Sequence, residues 1–277
     1  MSDFEDLFKY VEEIADQARR RLQAWTGARE ATPTDATPTP FTRHGTGRVD
    51  LDSVRSAADL APYIDHTLLK PEAREEDVVK VAEEARRYGF ATVCVNSSHV
   101  ATVARILAGS STVPIAVVGF PLGAALSSAK AFEAREAIAA GAREIDMVVN
   151  IGALRAKDHI AVFLDIAAVV EASRPYPVKV ILETTLLTRD EKVFACLLSK
   201  SAGAAFVKTS TGFSSGGATV EDVELMRSTV GDGVGVKASG GVRSSEDAMN
   251  MLRAGANRLG ASASVAIVTG QVSTAKY

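Results

Sequence analysis

Two lysines in this 277-residue chain stand where amine chemistry needs them. Lys208 ends the run Ala204-Ala205-Phe206-Val207-Lys208 and precedes Thr209-Ser210-Thr211-Gly212; Lys237 ends Val234-Gly235-Val236-Lys237 and precedes Ala238-Ser239-Gly240-Gly241. If both runs are β-strands, their two-residue alternation puts Phe206 with Lys208, and Gly235 with Lys237, on one face. An amine buried beside a second amine has its ammonium form disfavoured by desolvation and by like charge. An ordinary lysine, with a pKa of about 10.4, is free amine in roughly one molecule in 2,500 at pH 7, and a pKa of about 7 raises that fraction on the order of a thousandfold. Such an amine attacks a carbonyl and forms a Schiff base. Charge pairing or a phosphate contact is the competing reading of the same lysines.

Asp146 lies inside the apolar run Glu144-Ile145-Asp146-Met147-Val148-Val149-Asn150. A carboxylate there is costly without a partner, which inward lysines on neighbouring strands would supply. It then either shuttles protons with an ammonium and water or only fixes the geometry. Asp65, in Asp65-His66-Thr67, either closes the same ring of charges or orders its loop; the second role is the expectation. Thr211 and Gly212, Gly240 and Gly241, and Ser262 after Gly260-Ala261 form a candidate phosphate rim of backbone N–H groups, with simple turns as the alternative. His44, His66, His99 and His159 have no zinc-ligand spacing, so no metal is expected, and His66 is expected to pack at a strand end.

These residues need strands to hold them, and eight short β-branched runs alternate with helical patterns: 63–67, 91–96, 114–120, 144–150, 178–184, 204–209, 233–238 and 257–261. Thr188 with Glu191, Thr219 with Asp222 and Ser244 with Asp247 read as helix starts. Gly89, Gly141, Gly203 and Gly255 stand where helices would end. Eight strand-helix units in about 225 residues predict an α/β fold, a (β/α)8 TIM barrel whose active site lies at the C-terminal ends of its strands. An open doubly wound sheet fits less well, since no glycine-rich dinucleotide fingerprint follows the first strand. Ahead of the barrel, Phe4, Leu7, Phe8, Val11, Ile14, Ala15, Ala18, Leu22 and Trp25 form the stripe of an amphipathic helix over residues 1–25. Residues 26–48 are a Thr/Pro-rich linker, and 49–277 the catalytic domain.

Composition sets the outer limits. With 47% apolar and 23% charged residues the chain has ample material for a core. Thirty-one Lys+Arg against 34 Asp+Glu leaves no basic excess for nucleic acid. No apolar run approaches the roughly 18 residues of a membrane span. Cys94 and Cys196 sit in apolar runs, and no secretory signal opens the sequence, so a cytoplasmic location is expected.

The motifs Ile64-Asp65-His66-Thr67-Leu68-Leu69-Lys70, Val93-Cys94-Val95-Asn96, Val118-Gly119-Phe120-Pro121-Leu122-Gly123, Glu144-Ile145-Asp146-Met147-Val148 and Lys179-Val180-Ile181-Leu182-Glu183-Thr184, with the two lysine segments extended to Val242-Arg243, together resemble the deoxyribose-phosphate aldolase family. The resemblance spans nearly all of residues 60–262. It implies a class I, Schiff-base aldolase that cleaves 2-deoxy-D-ribose 5-phosphate reversibly to D-glyceraldehyde 3-phosphate and acetaldehyde without a cofactor. It implies Lys208 as the Schiff-base lysine, Lys237 as the group that lowers its pKa and aids proton transfer, and Asp146 as proton donor or acceptor. Tyr277 resembles a C-terminal tyrosine that in some members helps proton transfer. Phe213 stands where some members carry a lysine, and Ala263 where some carry a second serine. A homo-oligomer, dimer or tetramer, is expected, with the N-terminal helix covering the barrel or building the interface. Another Schiff-base sugar-phosphate barrel and a non-catalytic sugar-phosphate binder are the alternatives.

Overall fold

Each β-branched run becomes a parallel strand, and each capped segment after it a helix, because parallel neighbours need a crossover long enough to span the sheet. The structure, a computed structural model, describes residues 2–26 and 45–272. In chain order it contains α1 (Ser2–Thr26), two 3-10 turns (Leu51–Ser53 and Ala57–Tyr63), β1 (Ile64–Leu68), α2 (Glu75–Tyr88), β2 (Thr92–Val95), α3 (Val100–Ile106), β3 (Val113–Val118), α4 (Ser127–Ala139), β4 (Glu144–Val148) and α5 (Ile151–Arg155). There follow α6 (His159–Ser173), β5 (Val178–Ile181), α7 (Arg189–Ser201), β6 (Phe206–Lys208), α8 (Val220–Val230), β7 (Gly235–Ser239), α9 (Ser245–Ala254), β8 (Arg258–Ala261) and α10 (Ser264–Val268). The eight strands pair in sequence order and β8 pairs back to β1, closing the barrel. This is the predicted TIM barrel, with the predicted helix ahead of it.

The capping signals act as read. Thr188 and Glu191 form a reciprocal capping box on α7, as do Ser244 and Asp247 on α9, and the Thr219 hydroxyl accepts from Asp222 N. Gly89 and Gly255 end α2 and α9 in the left-handed region, where a Cβ would be strained. The expected strands run one to three residues long at several ends. The clearest case is the fifth: the chain leaves β5 after Ile181, and Glu183 turns to φ 58 at the head of a 3-10 turn, Thr184–Leu186.

One apolar core fills the layer between barrel and helices, and a small second cluster of Leu69, Cys94, Ile115 and Val117 with Phe120 lies apart from it. Helix α1 docks on α6 and α7 of its own chain, burying Val11, Ile14, Ala15 and Ala18. Tyr10 meets His159 and Phe194 edge-on at 6.0 and 6.1 Å, and the Ser201 hydroxyl donates to Glu12. Phe8, expected in the buried stripe, is 40% exposed and has the Lys200 ammonium 5.9 Å above its ring. At its far end the expected linker meets the barrel: Arg227 donates to Thr46 O and Asn257 to Gly45 O. Residues 27–44 of that linker, His44 among them, and Tyr277 lie outside the described residues. Among the described residues no helix is long and apolar enough to cross a membrane.

Carboxylates placed in the α1 seam would have no partner. The double substitution Val11→Asp/Ala15→Asp is therefore expected to release α1, read as faster limited proteolysis within residues 2–26 while barrel ellipticity persists. Unchanged protection would contradict docking on α6 and α7.

Candidate active site

Strand alternation does here what the sequence implied. Lys208 and Lys237 are register partners on β6 and β7, and Asp146 is the register partner of Lys179 on β5. All four side chains turn into the barrel and are buried. Beneath Lys208, the Phe206 ring fills the interior. A Cβ on Gly235 would lie 2.1 Å from that ring, so the strand can pass it only as glycine. The cations of Lys179 and Arg258 sit 5.7 and 5.6 Å from the Phe206 centroid, within cation–π range.

Asp146 holds three lysines at once. Its Oδ2 accepts from Lys208 Nζ at 2.9 Å and Lys237 Nζ at 2.8 Å, and its Oδ1 accepts from Lys179 Nζ at 2.9 Å. Lys237 also pairs with Asp65 at 2.5 Å, and Lys179 with Glu144. Asp65 in turn accepts from Arg258 and from the Thr92 hydroxyl, each at 2.7 Å. Asp65 thus closes the ring of charges and does not order the loop, which corrects the sequence expectation. The cause is topological: β1 sits beside β8, and alternation turns Asp65 inward with Gly260 as its register partner.

The lysines do not share one electrostatic fate. Burial pushes the Lys208 amine down; Asp146 opposes this, but Lys237 adds to it, and the net shift is downward. Burial acts the same way on Lys237, yet Asp146 and Asp65 outweigh it and hold Lys237 above the usual lysine range. Lys179 is likewise raised, against burial, by Asp146, Glu144 and Asp65. Burial alone would raise the Asp146 carboxyl, but Lys179, Lys208 and Lys237 hold it well below the usual carboxylate range. The Cys94 thiol is pushed up to about 11, by burial first and then by Asp146.

Above the lysines the rim is only partly as expected. Gly240 is buried against the Gly216-Gly217 turn, its carbonyl accepting from Ala218 N at 2.9 Å, while Gly241 and Ser262 are exposed and Gly212 is half-buried. Thr211 differs: its hydroxyl and its amide both donate to Glu183 Oε2, the amide at 3.2 Å, and its Oγ1 accepts from Phe213 N at 3.0 Å. With its donors taken by Glu183, Thr211 shapes the loop. Phe213 meets Phe120 edge-on at 5.2 Å. His66 points away from the barrel interior, its Nδ1 3.0 Å from Ser264 Oγ and its Nε2 3.0 Å from Glu84. Among the described residues no group of three or more His, Cys, Asp or Glu is arranged to hold a metal ion.

The sequence places Lys179 and Glu183 among the polar residues at strand ends without assigning them a role, and does not single out Glu144 or Arg258. Lys179 and Arg258 were detectable by alternation, two residues before Ile181 and Gly260 on strands already recognised. The Glu183 to Thr211 contact joins two loops and leaves no local signal.

A lysine held toward its neutral form inside a parallel eight-stranded barrel, beside a carboxylate and a second lysine held toward its ammonium form, is aldolase architecture, and this chain belongs to the DeoC/LacD aldolase family, whose model matches residues 60–273. It is a carbon–carbon lyase. It is 58% identical over 218 residues to the deoxyribose-phosphate aldolase of Streptococcus sanguinis, covering 79% of this chain and 99% of that one. It is 59% identical over 213 residues to the enzyme of the same name from Clostridium novyi, 76% of this chain and 96% of that one. Among solved structures, the tetrameric deoxyribose phosphate aldolase of Aeropyrum pernix superposes with a TM-score of 0.74 at 36% identity, over 79% of this chain and 93% of that one.

Removing one partner of a buried ion cluster leaves uncompensated charge. Asp146→Asn is expected to cost about 3–5 kcal/mol at pH 7, measured by urea unfolding. The folded-state pKa of Asp146 is depressed, so its contribution is full above the unfolded value near 3.8 and is lost as the pH falls through the lower folded one. The gap between wild type and variant should therefore narrow below about pH 4; a gap independent of pH would contradict the assignment.

Proposed function

We infer that this aldolase cleaves 2-deoxy-D-ribose 5-phosphate reversibly to D-glyceraldehyde 3-phosphate and acetaldehyde, with Lys208 as the Schiff-base lysine. The observation that carries the reading is the unequal sharing of carboxylates. Lys237 and Lys179 each touch more than one, whereas among the described residues Lys208 reaches only Asp146, and there competes with Lys237 for the same oxygen. Of the three lysines, Lys208 is the one most readily left neutral, and a neutral amine is the nucleophile.

The free amine of Lys208 adds to C1 of the open-chain sugar. Lys237, an ammonium, protonates the departing hydroxyl, and water leaves to give the protonated imine. The C3 hydroxyl then gives up its proton toward Asp146, the C2–C3 bond breaks, and its electron pair moves toward the imine nitrogen. D-Glyceraldehyde 3-phosphate departs and an enamine remains on Lys208. Protonation of the enamine carbon and hydrolysis of the imine release acetaldehyde and restore the amine. Asp146 and Lys237, 2.8 Å apart, trade the protons.

Two features support this substrate. Leu69, Cys94, Ile115 and Val117 form an apolar cluster inside the barrel, suited to a C2 that bears no hydroxyl. Backbone donors around Gly212, Gly240, Gly241 and Ser262 suit a phosphate at the mouth. The same proposal includes a homo-oligomer, dimer or tetramer, for which Leu122, Leu126 and Phe132 supply exposed apolar surface. It also includes a cytoplasmic setting, which the free buried thiols Cys94 and Cys196 suit.

Borohydride reduction in the presence of acetaldehyde is expected to leave an ethyl group on Lys208, read by peptide mass analysis. An active protein with Lys208 unmodified would overturn the mechanism. Lys208→Leu is expected to reduce acetaldehyde release at least about a thousandfold with its circular dichroism unchanged. Because burial and Lys237 lower the Lys208 pKa, the acid limb of kcat/KM should lie below that of an ordinary lysine amine; a limb at or above the ordinary lysine range would contradict this.

A further inference from the structure

The buried network extends below the lysines that do the chemistry. Arg258, at the foot of β8, donates from Nη1 to Asp65 Oδ1 at 2.7 Å and reaches Glu144 Oε1 from Nη2 at 3.5 Å. Glu144, at the foot of β4, also pairs with Lys179, and Arg258 is the register partner of Lys237. Four cations, Lys179, Lys208, Lys237 and Arg258, therefore share three carboxylates, Asp65, Glu144 and Asp146. One positive charge is in excess.

We propose that Arg258 and Glu144 are positioning residues that set the proton inventory of the active site, Arg258 making the cations outnumber the carboxylates so that Lys208 is the group left as a free amine. The inference rests on Lys208 being the Schiff-base lysine. An arginine does not lose its proton in a protein, so the excess must be relieved at a lysine. Lys237 is held by Asp65 and Asp146, and Lys179 by Glu144 and Asp146 with Asp65 at 4.0 Å. The groups facing Lys208 are Asp146 from β4, Lys237 from β7 and the Cys94 thiol from β2. Among the described residues Asp146 alone offers it a carboxylate, and it is already shared. Without Arg258, Asp65 and Glu144 would serve Lys237 and Lys179 more fully, releasing Asp146 to hold Lys208 as an ammonium. Without Glu144 the excess would grow and the amine would be freed further. The two residues thus act in opposite directions, through Asp65 and Lys179, from the closed end of the barrel.

The test is the pH dependence of acetaldehyde trapping on Lys208 by borohydride, which involves no phosphate titration, together with the acid limb of kcat/KM. Arg258→Met is expected to move both upward by about one pH unit, roughly tenfold less free amine at a given pH on the acid side. Glu144→Gln should move both downward. The double variant Arg258→Met/Glu144→Gln restores an excess of one charge and should return the limb close to wild type. Arg258→Lys, which keeps a cation at that site, should return it part of the way. A merely structural role predicts losses of kcat with no shift, compounding in the double variant, and that result overturns the proposal. If Arg258→Met does not fold, an unmoved limb in Glu144→Gln overturns it equally. Wild-type protein that acetaldehyde and borohydride leave unlabelled at Lys208 defeats the Schiff-base reading itself; labelled wild type with unshifted variants defeats only the inventory.

Discussion

One carboxylate, Asp146, pairs with three buried lysines at once, and the rest of the molecule is arranged around that shortage of negative charge. In bulk water the pairings would be worth little, since solvent would screen them and each lysine would keep its ordinary acidity. Inside the barrel the screening is lost, so the number and position of carboxylates decide which lysine keeps its proton. Two lysines on adjacent strands, both buried and both touching Asp146, end up on opposite sides of the ordinary lysine pKa because only one of them also reaches Asp65.

The barrel is the device that makes such counting possible. Its eight parallel strands each turn alternate side chains inward, so charged groups far apart in sequence meet in fixed register without a loop having to hold them. The interior is divided. Toward β1 to β3 it carries Leu69, Cys94, Ile115 and Val117, while β4 to β8 carry most of the ions, with Phe206 among them. Above this layer Glu183 ties the turn after β5 to the one after β6 through Thr211.

Much of this was legible in the sequence, for identifiable reasons. The strands and the (β/α)8 order follow from β-branched runs alternating with capped helices, and the inward aim of Lys208, Lys237 and Asp146 follows from a period of two. What failed to show was anything set by which strand faces which. Asp65 read as ordering its loop because its partners are distant in sequence: Lys237 and Arg258 arrive with β7 and β8. Arg258 and Glu144 give no such signal because they stand at the beginnings of β8 and β4, away from the C-terminal strand ends where barrel active sites lie. Thr211 read as a donor to substrate because its amide and hydroxyl give no sign, in sequence, of being spent on Glu183. For α1 the stripe predicted burial but not the surface it would meet.

That surface has a bearing on how the chain folds as it is made. Helix α1 precedes the barrel in the chain, yet α6 and α7, which cover its apolar stripe, follow only after β4 and β5. At ordinary rates of synthesis the delay is on the order of 10 to 40 seconds, during which Val11, Ile14, Ala15 and Ala18 have no native partner. A nascent chain of this protein thus carries an uncovered amphipathic segment until α6 and α7 have been made. Contacts so distant in sequence also form slowly. The extension is therefore a late-docking piece, whose burial waits for the barrel wall.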